Sequence, residues 1–326
     1  MTNALVCVSH SPIIMIRAKA PSEEERIRAY YDEAIAAIDV FDPELVIVFG
    51  TDHFAGFFYS LMPPFCIGTQ ATAVDDVGGF GGRLDVPGVA AMDLVRHLRE
   101  CGFDPAVSRR MKVDHAFSQP LHRLLGAIDA RPVIPIFLDA MSDPLMRFAR
   151  SHAFGRAVGA YAESTGKRVL FLGSGGLSHH PTRYYPLEGQ GEPDVTAWQL
   201  DGERAGVMTE QAWLRRLLEM HEEGAHMLVD GRRTEEDICL NPAFDAWFMR
   251  KMVDGDFAAI LDLDPAATVR KAGIGSMELH AWVAAAAAHR SAGGGLPGRS
   301  LYVPALEYGI GYGMLTADLP TTTRRP

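Results

Sequence analysis

The chain predicts an α/β fold, a central mostly parallel or mixed sheet flanked by helices, with a helical elaboration in its C-terminal half. Three observations carry that reading. Short apolar runs, most of them rich in β-branched residues, recur at wide intervals, and helical patterns separate them. The composition, 48% hydrophobic and 22% charged over 326 residues, supplies apolar side chain for a large buried core.

The first run, Ala4 to Val8, predicts a strand. A helix is expected from about Ser22 to Phe41, where Ser22 and Glu25 have the spacing of a capping box. Leu45 to Phe49, bounded by Pro43 and Gly50, reads as a strand buried on both faces. Strands recur at Val133 to Leu138 and Val169 to Leu172, with helices at about Val89 to Glu100 and Pro144 to Glu163. After Pro181 comes a polar, aromatic and proline-containing stretch, then helical sequence from about Glu203 to Val229. A last helix is expected from Ser276 to Arg290, stopped by a Gly-rich run and Pro297, and the close from Leu301 reads as strand and loop. No flexible linker separates independent halves, so residues 1–326 are read as a single domain in which 182–233 shapes the substrate side.

A net charge of −10 argues against a general nucleic-acid binder, whose phosphate affinity requires clustered Lys and Arg. The longest apolar stretch, Ala281 to Ala288, is far short of the roughly 20 residues that span a bilayer, so no membrane partner is expected. The opening lacks the pattern of a secretory signal, and a cytoplasmic location is the expectation. Cys7, Cys66, Cys101 and Cys239 form no CxxC pair and are read as reduced, buried thiols.

Three of the predicted strands lead into a histidine, at His10, His53 and His179. In open α/β sheets ligands bind outside the carboxyl ends of the strands, so these imidazoles can converge on one pocket. His115 follows Asp114 just before a helix start, where Asp114 has the character of a helix cap. Glu278 lies in the first turn of an Ala-rich helix, where the helix dipole favours an acidic residue and where a carboxylate could also point inward as a metal ligand.

SHSP at 9–12, DH at 52–53 followed by GFFYSLMPPFCIG, VDHAFSQPL at 113–121, KRVLFLGSGGLSHHP at 167–181, LNPAFD at 240–245 and MELHAW at 277–282 together carry a family resemblance. The sequence resembles the class III extradiol ring-cleavage dioxygenases over nearly its whole length, diverging mainly from about Thr182 to Arg233. The resemblance implies a non-haem Fe(II) held by His10, His53 and Glu278, a ligand set that suits this ion and leaves one face open for a catechol and O2. It implies His115 and His179 as acid/base residues, divided here as His115 the base on substrate binding and His179 the acid in later steps. Asp114 could orient His115 or the substrate, and Tyr184 and Arg183 are candidate substrate contacts. The family pattern has a His before the ligating Glu, where this chain has Met277. The expected substrate is 3-(2,3-dihydroxyphenyl)propionate or a close analogue, and the expected assembly a homo-oligomer. A Zn(II)-dependent hydrolase using the same residues and a non-enzymatic binding protein are the competing readings.

Overall fold

The computed structural model describes residues 2–181 and 189–321. Its strands are β1 (Asn3–Val8), β2 (Leu45–Gly50), β3 (Phe65–Gly68), β4 (Ala71–Ala73), β5 (Gly82–Arg83), β6 (Ala106–Ser108), β7 (Met111–Val113), β8 (Val133–Leu138), β9 (Val169–Ser174), β10 (Arg299–Ala305) and β11 (Ile310–Ala317). Eight of them form one sheet in the order β10-β11-β1-β9-β2-β8-β3-β6, while β5, β4 and β7 make a small second sheet. The centre is parallel: β1 pairs with β9, β9 with β2 and β2 with β8. Antiparallel pairing of β8 with β3 and of β1 with β11 makes the whole mixed, as expected.

Burial on both faces explains why the central strands are nearly continuous apolar runs. Side chains alternate across a strand, so Leu5, Cys7, Ile47, Phe49 and Phe171 enter one core, and Val6, Val8, Val46, Val48, Leu170 and Leu172 the other. The helices are α1 (Ile13–Ile16), α2 (Glu24–Phe41), α3 (Gly88–Glu100), α4 (His115–Leu125), α5 (Phe148–Ser164), α6 (Pro193–Asp201), α7 (Glu210–Val229), α8 (Pro242–Asp254), α9 (Phe257–Leu261), α10 (Pro265–Ala272) and α11 (Leu279–Ser291). Side chains of α3, α5, α8 and α11 fill the first core, and those of α2 and α4 the second.

The Ala-rich run belongs to α11, wedged between the sheet and α5. Small residues are required there. A Cβ on Gly155 or Gly159 of α5 would stand 2.2 Å from the Ala284 carbonyl oxygen or 2.1 Å from that of Ala288. Backbone meets backbone at this crossing, which leaves no room for anything larger.

Several boundaries differ from the sequence reading. The capping box does not form: Ser22 lies in a turn, and α2 starts at Glu24 behind Glu23, which makes no side-chain cap. The helix expected from Pro144 starts at Phe148, because Asp139 folds the preceding segment by accepting from the Ser142 N–H. The helix expected from Glu203 starts only at Glu210 as α7, after a short 3-10 turn at Gly202–Ala205 that follows the end of α6. Gly202 and Gly206 adopt positive φ between α6 and α7, and Thr209 caps α7 by accepting from the Ala212 N–H. Residues 274–278 form a 3-10 turn ahead of α11, so Glu278 sits at the junction and not inside the helix. All four thiols are free, but Cys101 is exposed and Cys239 half-buried, against the expectation of burial. No helix among the described residues is long and apolar enough to cross a membrane.

Candidate active site

His10 follows β1 and His53 follows β2, while His179 lies five residues past the end of β9. His115 opens α4, and Glu278 arrives from the turn before α11. All five line one cleft at the carboxyl ends of the parallel strands. Of the remaining candidates, Asp114 sits directly behind His53, whereas Arg183 and Tyr184 lie outside the described residues.

The geometry is that of imidazoles held from behind. His10 Nδ1 is hydrogen-bonded to Ser174 Oγ at 2.9 Å, and its Nε2 stands 3.5 Å from Glu278 Oε2. His53 donates its backbone N–H and Nδ1–H to Asp114 Oδ2, at 2.6 and 2.9 Å, and turns Nε2 toward Glu278 Oε1 at 3.2 Å. Two donors ~2.1 Å from one ion and at right angles stand ~3 Å apart, so these separations suit neighbouring ligands of a single metal. His10 Nε2 is buried without a hydrogen-bond partner, which is what a ligating nitrogen leaves when no ion is present.

Charge agrees with that fit. Burial alone would raise Glu278, but His10, His53 and His179 together hold its carboxyl well below the usual range. Burial pushes His10 down to about 3 against the attraction of Glu278, leaving a neutral imidazole. Burial also opposes charge on His53, yet Asp114 and Glu278 outweigh it and the net shift is upward. An anionic carboxylate between imidazole nitrogens gives a divalent cation mixed N and O donors and part of its countercharge. The ring nitrogens of His10, His53 and His115 also come within 4.8 Å of one another.

His115 stacks on His53, with ring centroids 4.5 Å apart, and its Nδ1 meets Asp76 Oδ2 at 2.5 Å. Its Nε2 is buried with no partner. Burial and then repulsion from His53 lower it to about 4. His179 donates Nδ1–H to the Leu177 carbonyl at 2.9 Å, leaving Nε2 on the side of Glu278, 3.8 Å from Oε1.

The glycines of the GSGG segment and of the turn before α11 make room for this packing. A Cβ on Gly275 would lie 2.1 Å from the His179 ring, and one on Gly175 would lie 2.6 Å from the Glu278 carbonyl oxygen. The Gly176 N–H donates to Glu278 Oε2 at 2.5 Å, which orients the carboxylate. Met277 is fully buried beside it.

Sequence reasoning missed Asp76, Ser174, His221 and Arg233. Asp76 and Ser174 support His115 and His10, and the other two line the cleft. Nothing local marks them: Asp76 has an exposed twin in Asp75, and Ser174 is one small residue at the end of β9 between two glycines.

The family model described as "Catalytic LigB subunit of aromatic ring-opening dioxygenase" matches residues 4–305. A protein of Rhodococcus globerulus named 2,3-dihydroxyphenylpropionate/2,3-dihydroxicinnamic acid 1,2-dioxygenase is 37% identical over 98% of this chain and 99% of its own. Similarly named proteins of Rhodococcus rhodochrous and Pseudomonas putida are 38% and 39% identical, over 98% and 97% of this chain and 99% of each of theirs. The family is typically Fe(II)-dependent and takes a catecholic substrate with O2. The hydrolase and binding-protein readings are thereby set aside. With the match running from β1 into β10 and full-length relatives above 30% identity, the chain belongs to the LigB family and is an extradiol ring-opening dioxygenase.

Proposed function

We propose that this enzyme binds Fe(II) through His10, His53 and Glu278 and opens the ring of 3-(2,3-dihydroxyphenyl)propionate or a close analogue. The observation that carries the metal assignment is the approach of His10 Nε2 and His53 Nε2 to the two oxygens of Glu278, at 3.5 and 3.2 Å, with both Nδ1 atoms tied behind them. Bound there, Fe(II) would hold the two catechol oxygens beside O2 and act as the electron conduit between them.

The chain's own residues handle the protons. Neutral His115 accepts a catechol hydroxyl proton at Nε2, and Asp76, bonded to Nδ1, holds its ring in place. His179 is held by Leu177 so that Nε2 faces the reacting ring, where it carries the proton returned in the later steps. Both oxygen atoms of O2 enter the ring-opened acid, so substrate and O2 account for every atom of the product. Leu217 and Leu228 of α7 line the cleft, in support of the reading that 182–233 shapes the substrate side of a single domain. The names of the relatives support the propionate or cinnamate side chain.

The test is anaerobic loading with Fe(II), addition of 3-(2,3-dihydroxyphenyl)propionate and then O2, with a yellow ring-opened product expected. Absence of product from this catechol and from a panel of 3-substituted catechols would overturn the proposal.

A further inference from the structure

The cleft that holds His10, His53, His115, His179 and Glu278 is also lined by the apolar side chains of Ile13, Leu217, Leu228, Ile238 and Ile310. Among the described lining residues a single Arg or Lys is present, Arg233. It is 7% exposed, so this is an inward-facing guanidinium and not a surface charge. In the loop after α7 its backbone N–H donates to the Met227 carbonyl at 2.9 Å, and Nη2 donates to the His180 carbonyl at 3.4 Å, contacts among the described residues that help to hold it.

His221 lines the same cleft. It is buried on α7, its Nδ1–H is given to the Leu217 carbonyl at 2.7 Å, and it feels the His115 and His53 rings as well as the charge of Arg233. A planar guanidinium presents paired N–H donors that match a carboxylate, and its pairing is strongest where water is excluded. The apolar walls suit a ring and a short methylene or vinyl chain, which leaves the acidic terminus of such a substituent to meet Arg233.

We propose that Arg233 is the specificity residue that binds the side-chain carboxylate of a 3-substituted catechol, while the two hydroxyls lie at His10, His53 and Glu278. This rests on the reading of those three residues as the site that takes the ring oxygens. It makes the preferred substrates acids, with the chain ortho to one hydroxyl, and disfavours simple alkylcatechols.

The experiment compares Fe(II)-loaded wild type, Arg233→Gln and Arg233→Lys on 3-(2,3-dihydroxyphenyl)propionate and on neutral 3-propylcatechol. Wild type is expected to prefer the acid. In Arg233→Gln the preference, as a ratio of kcat/KM values, falls about 10- to 100-fold, chiefly through KM for the acid, and Arg233→Lys restores part of it. Metal-free protein gives an independent readout: calorimetric binding of 3-phenylpropionate weakens in Arg233→Gln by a comparable factor. An unchanged preference, or an equal loss on both substrates, would overturn the subsite while leaving the catechol reading intact. Wild type that opens neither compound would overturn both.

Discussion

His53 gives two hydrogen bonds, from its main chain and from Nδ1, to the same oxygen of Asp114. One carboxylate thereby fixes the position of the residue and the orientation of its ring, with Nε2 turned toward Glu278. The other oxygen of Asp114 caps α4 by accepting from the Ala116 N–H at 2.9 Å, so His53 and His115 are referenced to one group. Partners of this kind are commonly worth 10- to 100-fold in metal affinity. Asp114→Ala should weaken Fe(II) binding by roughly that factor, measured by competition with a chelator, and should cost about 1 kcal/mol in stability for the lost cap. Iron bound as tightly as in the parent would show that His53 needs no such support.

Ligands and proton carriers are separable by experiment. His10→Ala, His53→Ala and Glu278→Ala should emerge from anaerobic loading without stoichiometric iron. His115→Ala and His179→Ala should keep their iron and lose turnover by about 10²- to 10⁴-fold. The clustering of three imidazoles gives this comparison its force. Loss of iron from His115→Ala to the same extent as from Glu278→Ala would move His115 into the ligand set.

The crossing of α5 and α11 makes a stability prediction that helix propensity alone would get wrong. Replacing Gly by Ala inside a helix ordinarily gains about 1 kcal/mol. At Gly159 the new methyl would meet the Ala288 carbonyl at 2.1 Å, against backbone that cannot turn away. Overpacking of this kind costs about 1–3 kcal/mol, so Gly159→Ala should lower the midpoint of chemical unfolding. A raised midpoint would mean that the two helices separate easily.

What the sequence shows and hides follows from the range of the forces involved. The four central strands were legible because burial on both faces demands continuous apolar side chains, a local pattern. The strands β3 to β7 are two to four residues long and set by pairing with distant partners, so no periodicity reports them. The histidines were legible because each follows a strand or opens a helix. Asp76 and Ser174 were not, because their roles depend on contacts 39 and 164 residues away. Arg233 lies in the divergent segment, and only the folding of α7 over the cleft turns it inward.

Asp245 provides a pH dependence at a carboxyl that is not one of the proposed metal ligands. It is fully buried and accepts from the Ser178 N–H at 2.8 Å, the Ser178 hydroxyl at 2.6 Å and the Tyr302 hydroxyl at 2.9 Å. Burial pushes its carboxyl from 3.8 up to about 6, and those hydrogen bonds limit the rise. Between these two values the folded protein holds a proton that the unfolded chain has released. The contribution to stability is therefore complete below pH 3.8 and is lost as the pH rises through 6, a change on the order of 3 kcal/mol. Asp245→Asn cannot ionise, so the stability of wild type minus that of the variant should fall across this window, measured by urea unfolding at several pH values. Parallel curves from pH 4 to 7 would show that the three donors hold Asp245 ionised throughout, and that the bonds to Ser178 and Tyr302 outweigh its burial.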